Sequence, residues 1–189
     1  MNNALYERME RCADIALRRD LTALPEVFAA LADADWQLRY AAAVALGDLR
    51  TKAAVKPLLA ALAIEDAATL YNQPVLPAGG SAGSGNATTP QFPDGTTPQQ
   101  IEAWRRRGRL KQAICIALGE IGDGSPEVLA ALQRYAVDGG EDYLVRASSC
   151  KALGLIGDPA SREVLRAAVN DEEWCTNKEA GKALARLPG

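Results

Sequence analysis

The sequence contains no histidine among its 189 residues. This absence excludes catalytic triads with a histidine base, iron centres built on two histidines and a carboxylate, and zinc sites that need an imidazole ligand. No nucleophile and base can be paired from the residues that remain. We therefore predict no catalytic residue, no metal site and no intrinsic active site.

The sequence also lacks a surplus of positive charge, since its formal net charge is -3 and its pI is near 5.1. Neutralising phosphates requires an excess of lysine and arginine, so we predict no nucleic-acid partner. No apolar run approaches the roughly 18 residues of a membrane span, and the first residues carry charges, so no membrane insertion is expected. The four cysteines form no CxxC pair. These features favour a cytoplasmic location.

An internal repeat is the strongest positive signal. Four segments align without gaps: LRYAAAVALGDL from Leu38, LKQAICIALGEI from Leu110, VRASSCKALGLI from Val145 and TNKEAGKALARL from Thr176. Their apolar and small residues recur at helical spacing, and three copies share Ala-Leu-Gly. A second apolar segment follows the first three copies, with a proline at or near its start, as in KPLLAAL, PEVLAAL and the segment after Pro159. Each repeat is therefore predicted to be a pair of helices.

The repeat spacing predicts the fold class. Gly119 and Gly154 lie 35 residues apart, which is typical of two-helix solenoids. We predict an all-α protein, a short right-handed α-α superhelix of two-helix repeats in one domain over residues 1–189. The predicted parts are a capping hairpin at 1–32, repeats at 33–64, 100–138 and 140–169, and a final lone helix at 171–187.

A long insertion interrupts the array at residues 70–99. It holds half of the 10 prolines, so we predict a flexible loop that proteases cut between about Gly79 and Gly95. The final helix has no second helix after it. Its residues Ala180, Leu184 and Leu187 are expected to have an uncovered side, which suggests self-association through this end.

The repeats resemble a known family. The run DADWQLRYAAAVALGDL with AVKPLLAAL is similar to the HEAT-like repeat of the phycobilisome-lyase type, and DYLVRASSCKALGLIGDPASREVLRAAV matches it nearly throughout. The resemblance implies a protein-binding scaffold whose partner is a phycobiliprotein subunit or a second HEAT-like subunit, with a bilin as the ligand. If the protein is a bilin lyase, the partner supplies the cysteine. Relatives that hydroxylate proteins use His-Glu pairs, which this chain lacks.

Two other functions stay open, because such repeats also serve proteins unrelated to pigment. The first is a non-enzymatic adaptor or assembly factor. The second is a nucleic-acid-binding helical repeat, for which the only basic cluster is WRRRGRLK from Trp104 to Lys111. The arginines of this cluster also suit an acidic partner or a tetrapyrrole propionate.

A stripe of positions that varies between copies predicts the binding surface. These positions share one helical face, opposite the packing residues, and carry aromatic and aliphatic side chains. The predicted groove consists of Trp36, Tyr40, Val44, Arg109, Gln112, Ile116, Glu120, Tyr143, Ala147, Lys151 and Leu155. In the alternative interpretation, the rings of Trp36, Tyr143 and Trp174, which share one repeat position, only fill the space between neighbouring hairpins.

Two further sets of residues are predicted to be structural. Asp35 with Arg39, and Asp142 with Arg146, are acid and base pairs four residues apart near helix starts. Cys115 and Cys150 occupy a repeat position that requires a small residue facing the interior. We therefore expect buried, unreactive thiols.

Overall fold

The computed structural model describes residues 3–67, 92 and 94–188. Nine α-helices and no strand lie in this part of the chain. They are α1 (Asn3–Arg18), α2 (Leu24–Leu31), α3 (Trp36–Leu49), α4 (Val55–Ala67), α5 (Pro98–Ile121), α6 (Pro126–Val137), α7 (Tyr143–Ile156), α8 (Arg162–Ala168) and α9 (Trp174–Arg186). The fold is an all-α solenoid.

The helices form two layers. Helices α1, α3, α5, α7 and α9 pack side by side in chain order, and we call them the inner layer. Helices α2, α4, α6 and α8 cover one side of that layer and pack less closely against one another. Each repeat therefore contributes one helix to each layer. The side of the inner layer that faces away from the outer helices is called the inner face.

The Ala-Leu-Gly motif sets the spacing of the inner layer. A methyl group on Gly119 would lie 2.6 Å from the Cα atom of Ala152, well inside the ordinary contact distance of 3.4–4 Å. Glycine therefore lets α5 and α7 approach more closely than any other residue would allow. The same contact recurs along the layer, and the three pairs are Gly47 with Ala117, Gly119 with Ala152, and Gly154 with Ala183.

The inner helices end in a common way. Gly122 and Gly157 follow α5 and α7 with φ angles of 70° and 74°, and each N–H donates to a carbonyl of the preceding turn. This left-handed conformation stops a helix at little cost when the residue is glycine. Arg19 and Arg50 adopt it after α1 and α3. The chain then turns back to form the outer helix.

The predicted insertion lies almost entirely outside the described residues, so its flexibility and its protease sites stay predictions. Its end differs from the prediction, because α5 begins at Pro98 and includes the last two residues assigned to the loop. Thr97 and Gln100 form a capping box that starts the helix there. Just before it, the ring of Phe92 meets Trp104 edge to face, with 5.4 Å between centroids.

The acids and bases at the helix starts have structural roles, as predicted, but Asp35 does not pair with Arg39 nor Asp142 with Arg146. Asp35 and Asp142 cap α3 and α7 instead, accepting hydrogen bonds from the backbone N–H groups of Gln37 and Leu144 at 2.8 and 2.7 Å. The two arginines bind acids farther along the chain, Glu65 inside α4 and Asp171 after α8. Arg39 pairs with Glu65 at 3.1 Å, and Arg146 pairs with Asp171 at 2.8 Å. An acid engaged in capping has its oxygens directed at the helix end, away from a base one turn later.

Lys111 occupies the repeat position of Arg39 and Arg146, and it is the centre of a buried polar cluster. Its side chain is 3% exposed, and its Nζ atom lies 2.6 Å from Glu141 and 2.9 Å from Asp66. Burial by itself lowers the pKa of Lys111, but the two carboxylates raise it further than burial lowers it. Asp66 also accepts hydrogen bonds from Tyr135, at 2.6 Å, and from Arg134.

These bonds decide the charge state of Asp66. Burial favours the neutral acid, but the hydrogen bonds from Tyr135, Arg134 and Lys111 outweigh it and lower the pKa of Asp66. The carboxylate is therefore charged at neutral pH. The cluster ties the end of α4 to α5 and α6, at the point where the described chain stops before the insertion.

The final helix is covered on the side that was expected to be open. Ala180 is 0% exposed and Leu187 is 7% exposed, because α7 and α8 pack against α9. The helix also begins at Trp174, three residues later than predicted, since Asp171 binds Arg146 and accepts from the N–H of Glu173. Leu184 is half-buried. The expectation of an uncovered side is therefore wrong for Ala180 and Leu187, and self-association through this end stays a prediction.

Candidate binding groove

A wide opening on the inner face lies between α1 and α3, and we call it the α1–α3 groove. Its volume is about 1070 Å³, and alanines of both helices line it. Apolar side chains stand at its edges, where Leu17 is 85% exposed, Tyr40 38% and Val44 41%. Met9 of α1 also lines it. Exposed apolar groups of this size along a concave surface are typical of a contact site.

A smaller depression of about 150 Å³ lies on the other side of α3, against α5. It brings together five of the predicted groove residues, which are Tyr40, Val44, Gln112, Ile116 and Glu120. Gly47 and Ala117, one of the close glycine contacts, are also part of its lining. Tyr40 and Val44 line both openings, so the α1–α3 groove and this α3–α5 depression flank one helix.

The α7 residues of the predicted groove line neither opening. Ala147 is 6% exposed and unavailable to a partner, which corrects the prediction that it belongs to the surface. Its small side chain is enclosed because the close glycine contacts draw α7 against both neighbouring inner helices. Tyr143 and Lys151 are half-buried and Leu155 is 38% exposed. Arg109 is exposed on α5 but lines neither opening.

The three aromatic rings at one repeat position have different surroundings. Trp36 is half-buried, and the guanidinium of Arg106 from α5 lies 5.8 Å from its ring centre. The hydroxyl of Thr176 in α9 donates to the backbone carbonyl of Tyr143 at 3.3 Å. Trp174, on the last helix, is 64% exposed, with the Lys178 ammonium 4.2 Å from its ring centre.

Charges border the two openings. Arg50 reaches from the end of α3 to Glu120 of α5, which lines the depression, at 2.6 Å. Asp14 on the α1 side pairs with Arg18 at 2.7 Å. Asp48 is exposed in both openings and has no hydrogen bond or ion pair within the described residues. The α1–α3 groove thus combines apolar side chains with charges of both signs, since Glu10, Asp14 and Asp48 share its lining with Arg19 and Arg50.

Comparison with protein-family models gives two matches. The model described as PBS lyase HEAT-like repeat matches residues 38–63, which form most of α3 and most of α4. The model described as HEAT repeats matches residues 137–189, which contain α7, α8 and α9. These two matches support a HEAT-like repeat family of the phycobilisome-lyase type.

Comparison with solved structures finds a similarity between this HEAT-like repeat chain and the structure of human deoxyhypusine hydroxylase in complex with glycerol. The two are 16% identical, with a TM-score of 0.40, and the match covers 98% of this chain and 80% of the other. No curated protein sequence gives a significant match.

Some surface residues of the HEAT-like array were missed from sequence. The α1 side of the groove, with Met9, Ala13 and Leu17, went unnoticed because α1 lacks the Ala-Leu-Gly motif. The structure aligns α1 with α3, since Arg19 and Arg50 both end their helices in the left-handed conformation. Counting back three residues places Ala16 where α3 has Gly47. An alanine there cannot allow the glycine contact, and the wide groove opens beside it.

The cysteines of the HEAT-like repeats are structural, as predicted. Cys115 and Cys150 are both fully buried. Burial raises the pKa of each thiol to about 12, which leaves almost no thiolate at neutral pH. Within the described ranges, no group of three or more cysteine and carboxylate side chains could hold a metal ion. No helix in the same ranges combines the length and apolarity needed to cross a membrane.

Proposed function

We propose that this chain binds another protein through the inner face, with the α1–α3 groove as the main contact. The observation that carries this proposal is the exposure of Leu17, Tyr40 and Val44 along one groove. Folding alone gives no reason to place three large apolar side chains in water, and the helices that carry them have other residues in their core. HEAT repeats mediate protein–protein interaction, which agrees with this use of the surface.

The shape of the groove favours an elongated segment as its occupant. The groove runs between two neighbouring helices, and its lining includes Ala13, Ala41 and Ala45. Small side chains allow a bound backbone to come close, as helices do when they insert into apolar grooves. The apolar side chains of such a segment would contact Leu17, Tyr40 and Val44.

The test compares one substitution in the groove with one outside it. Val44→Asp places a charge in the groove, while Ile64→Asp places the same charge on α4, where Ile64 is 67% exposed. A photo-crosslinking phenylalanine analogue at position 40 would be used in the native host, with or without each substitution. We expect a specific crosslinked protein that Val44→Asp abolishes and Ile64→Asp leaves unchanged. An identical crosslinking pattern in both variants would refute the proposal.

The partner we propose first is a phycobiliprotein subunit, with its bilin as the ligand. Two observations favour it: residues 38–63 match the PBS lyase HEAT-like repeat, and these residues include Tyr40 and Val44 of the groove. Arg105 and Arg109 are exposed on α5 without a hydrogen bond or ion pair among the described residues, and guanidinium groups suit the propionates of a tetrapyrrole. Any bond to the bilin would form at a cysteine of the subunit.

Colour distinguishes this partner from a pigment-free adaptor role. The chain would be co-expressed with the enzymes of bilin synthesis and a phycobiliprotein subunit, and both purified proteins would be examined by absorbance. Bilin absorbance on the subunit that depends on this chain, and that Arg105→Glu with Arg109→Glu reduces, would support the pigment role. A colourless chain and a subunit coloured equally in its absence would leave the adaptor as the function.

A further inference from the structure

A row of basic side chains continues the inner face on its last helix. Lys178, Lys182 and Arg186 are four residues apart, so they share one face of α9. When α9 is aligned with α3 by the repeat leucines Leu184 and Leu46, these three residues correspond to Tyr40, Val44 and Asp48, in that order. Where the first repeats present apolar side chains and an acid, the last helix therefore presents three cations.

The neighbouring helix extends this row. Lys151 of α7 occupies the same repeat position as Lys182, and the contact between Gly154 and Ala183 brings the two helices together just beside them. We call Lys151, Lys178, Lys182 and Arg186 the basic row. Between it and the α1–α3 groove, α5 adds the exposed Arg109.

Little of this charge is neutralised within the molecule. Lys182 pairs with Glu179 at 2.5 Å, and Lys178 lies over the ring of Trp174. Lys151 and Arg186 make no ion pair or side-chain hydrogen bond with the rest of the described chain. A cluster of four cations with one acid paired to it, on a chain whose net charge is -3, creates a local positive potential that favours an anionic partner.

The rest of the inner face indicates which anion fits. Three acids, Glu10, Asp14 and Asp48, line the α1–α3 groove beside Arg19 and Arg50, and Arg50 is paired with Glu120. A polyanion lying along the whole inner face would therefore meet an excess of acids at one end. A nucleic acid carries charge at every nucleotide and suits a surface that is basic throughout. A polypeptide can be acidic in one part and apolar in another, and it alone matches both ends.

We propose that the basic row binds an acidic stretch of the partner protein, next to the apolar stretch that occupies the α1–α3 groove. This inference rests on the proposed function, since both stretches belong to one bound segment. The aspartates and glutamates of the segment pair with Lys151, Lys178 and Arg186. Trp174 and Leu155, both exposed beside the row, contact the apolar side chains among them.

The test uses a labelled peptide of leucine, alanine and glutamate with its leucines at helical spacing, measured by fluorescence anisotropy against the full chain. A second peptide with lysine for glutamate and a labelled DNA duplex serve as comparisons. The variant Lys178→Glu with Arg186→Glu reverses the row. The control, Lys56→Glu with Arg166→Glu, makes the same charge change on exposed positions of α4 and α8. Circular dichroism melting verifies that both variants fold.

We expect the acidic peptide to bind, the basic peptide to bind far less, and binding to weaken as salt is added. Reversal of the row is expected to reduce affinity about tenfold or more, and the control by less than about twofold. No binding of the acidic peptide, equal loss in both variants, or tighter binding of DNA would overturn the inference. Self-association of the chain that salt reverses would also overturn it, because a second copy would then be the occupant.

The same assay separates this inference from the proposed function. Loss of binding with Val44→Asp alone would show that the groove acts and the basic row does not. Loss of binding only in the variant that reverses the basic row would show that the row binds the peptide and the groove does not.

Discussion

The close glycine contacts of the inner layer predict that replacing one of these glycines by alanine lowers the free energy of unfolding, although the same replacement usually raises it in a helix. In an exposed helix, replacing glycine by alanine stabilises a protein by about 1 kcal/mol. At Gly119 the added methyl group would lie 2.6 Å from the Cα atom and 2.7 Å from the Cβ atom of Ala152. Neither atom belongs to a side chain that can rotate away, so α5 and α7 must separate.

The separation needed can be read from the contact distances. Restoring even a tight contact of 3.4 Å from 2.6 Å requires a displacement of about 0.8 Å. A gap of this size forfeits a quarter to a half of the attraction between atoms that were in contact. We therefore expect Gly119→Ala to lower the free energy of unfolding by about 1–3 kcal/mol. For a chain of this size, each kcal/mol corresponds to about 2–4 °C in Tm.

Gly181 of α9 provides the matched control. It lies inside a helix as Gly119 does, but no atom lies within 4 Å of a methyl group placed on it. Gly181→Ala should therefore raise the stability by up to about 1 kcal/mol. Both variants would be melted by circular dichroism at 222 nm. A Gly119→Ala protein that melts at or above the parent temperature would show that the inner helices are not in close contact, and the account of the motif would be wrong.

Three further predictions follow from other parts of the molecule. Lys111→Met leaves Asp66 and Glu141 without their buried cation and should lower the free energy of unfolding, measured by urea denaturation, by about 3–5 kcal/mol. The control Lys52→Met, at an ion pair whose lysine side chain is 77% exposed, should lower it by less than about 1 kcal/mol. Equal losses would contradict the burial of the cluster. Because the pKa of Asp66 is lowered on folding, its contribution to stability is present above the unfolded pKa of about 3.9 and is lost as pH falls through the lower folded pKa. Asp66→Asn should therefore weaken the dependence of the free energy of unfolding on pH at acidic pH. An unchanged dependence would refute this. A disulfide reagent at neutral pH should modify the half-buried Cys175 in the folded protein and reach Cys115 and Cys150 only after denaturation. Rapid labelling of all four thiols in the folded protein would contradict the burial of Cys115 and Cys150.

The sequence carried enough information for the fold because one physical device repeats. Ala-Leu-Gly recurs at helical positions where two backbones must meet, so aligning the copies was enough to identify paired helices in a solenoid. Capping was harder to predict, because Asp35 and Asp142 have bases one turn later that suggest an ion pair. The actual partners, Glu65 and Asp171, lie 26 and 25 residues from their arginines, and only tertiary packing determines such pairs.

The candidate site was predictable only where copies could be compared. Tyr40, Val44, Gln112, Ile116 and Glu120 meet in one depression because aligned positions of neighbouring helices are neighbours in space. Met9, Ala13 and Leu17 could not be placed this way, since α1 shares too little of the motif. Burial of Ala147 depends on how far α7 is drawn toward its neighbours, a distance that no pattern of residue types specifies.

The glycine of each repeat also limits how this array can change its length. Every inner helix from α3 to α7 presents a glycine to the helix that follows and, except for α3, an alanine to the helix before it. A duplicated repeat placed between α7 and α9 would satisfy both neighbours, because it would bring its own alanine and glycine. The same repeat placed against the far side of α9 would meet the methyl group of Ala185, at the position where the other copies have glycine. Duplication within the array thus keeps the close spacing, whereas a repeat added beyond α9 would lie farther away, as α3 does beside Ala16 of α1, unless a glycine replaced Ala185.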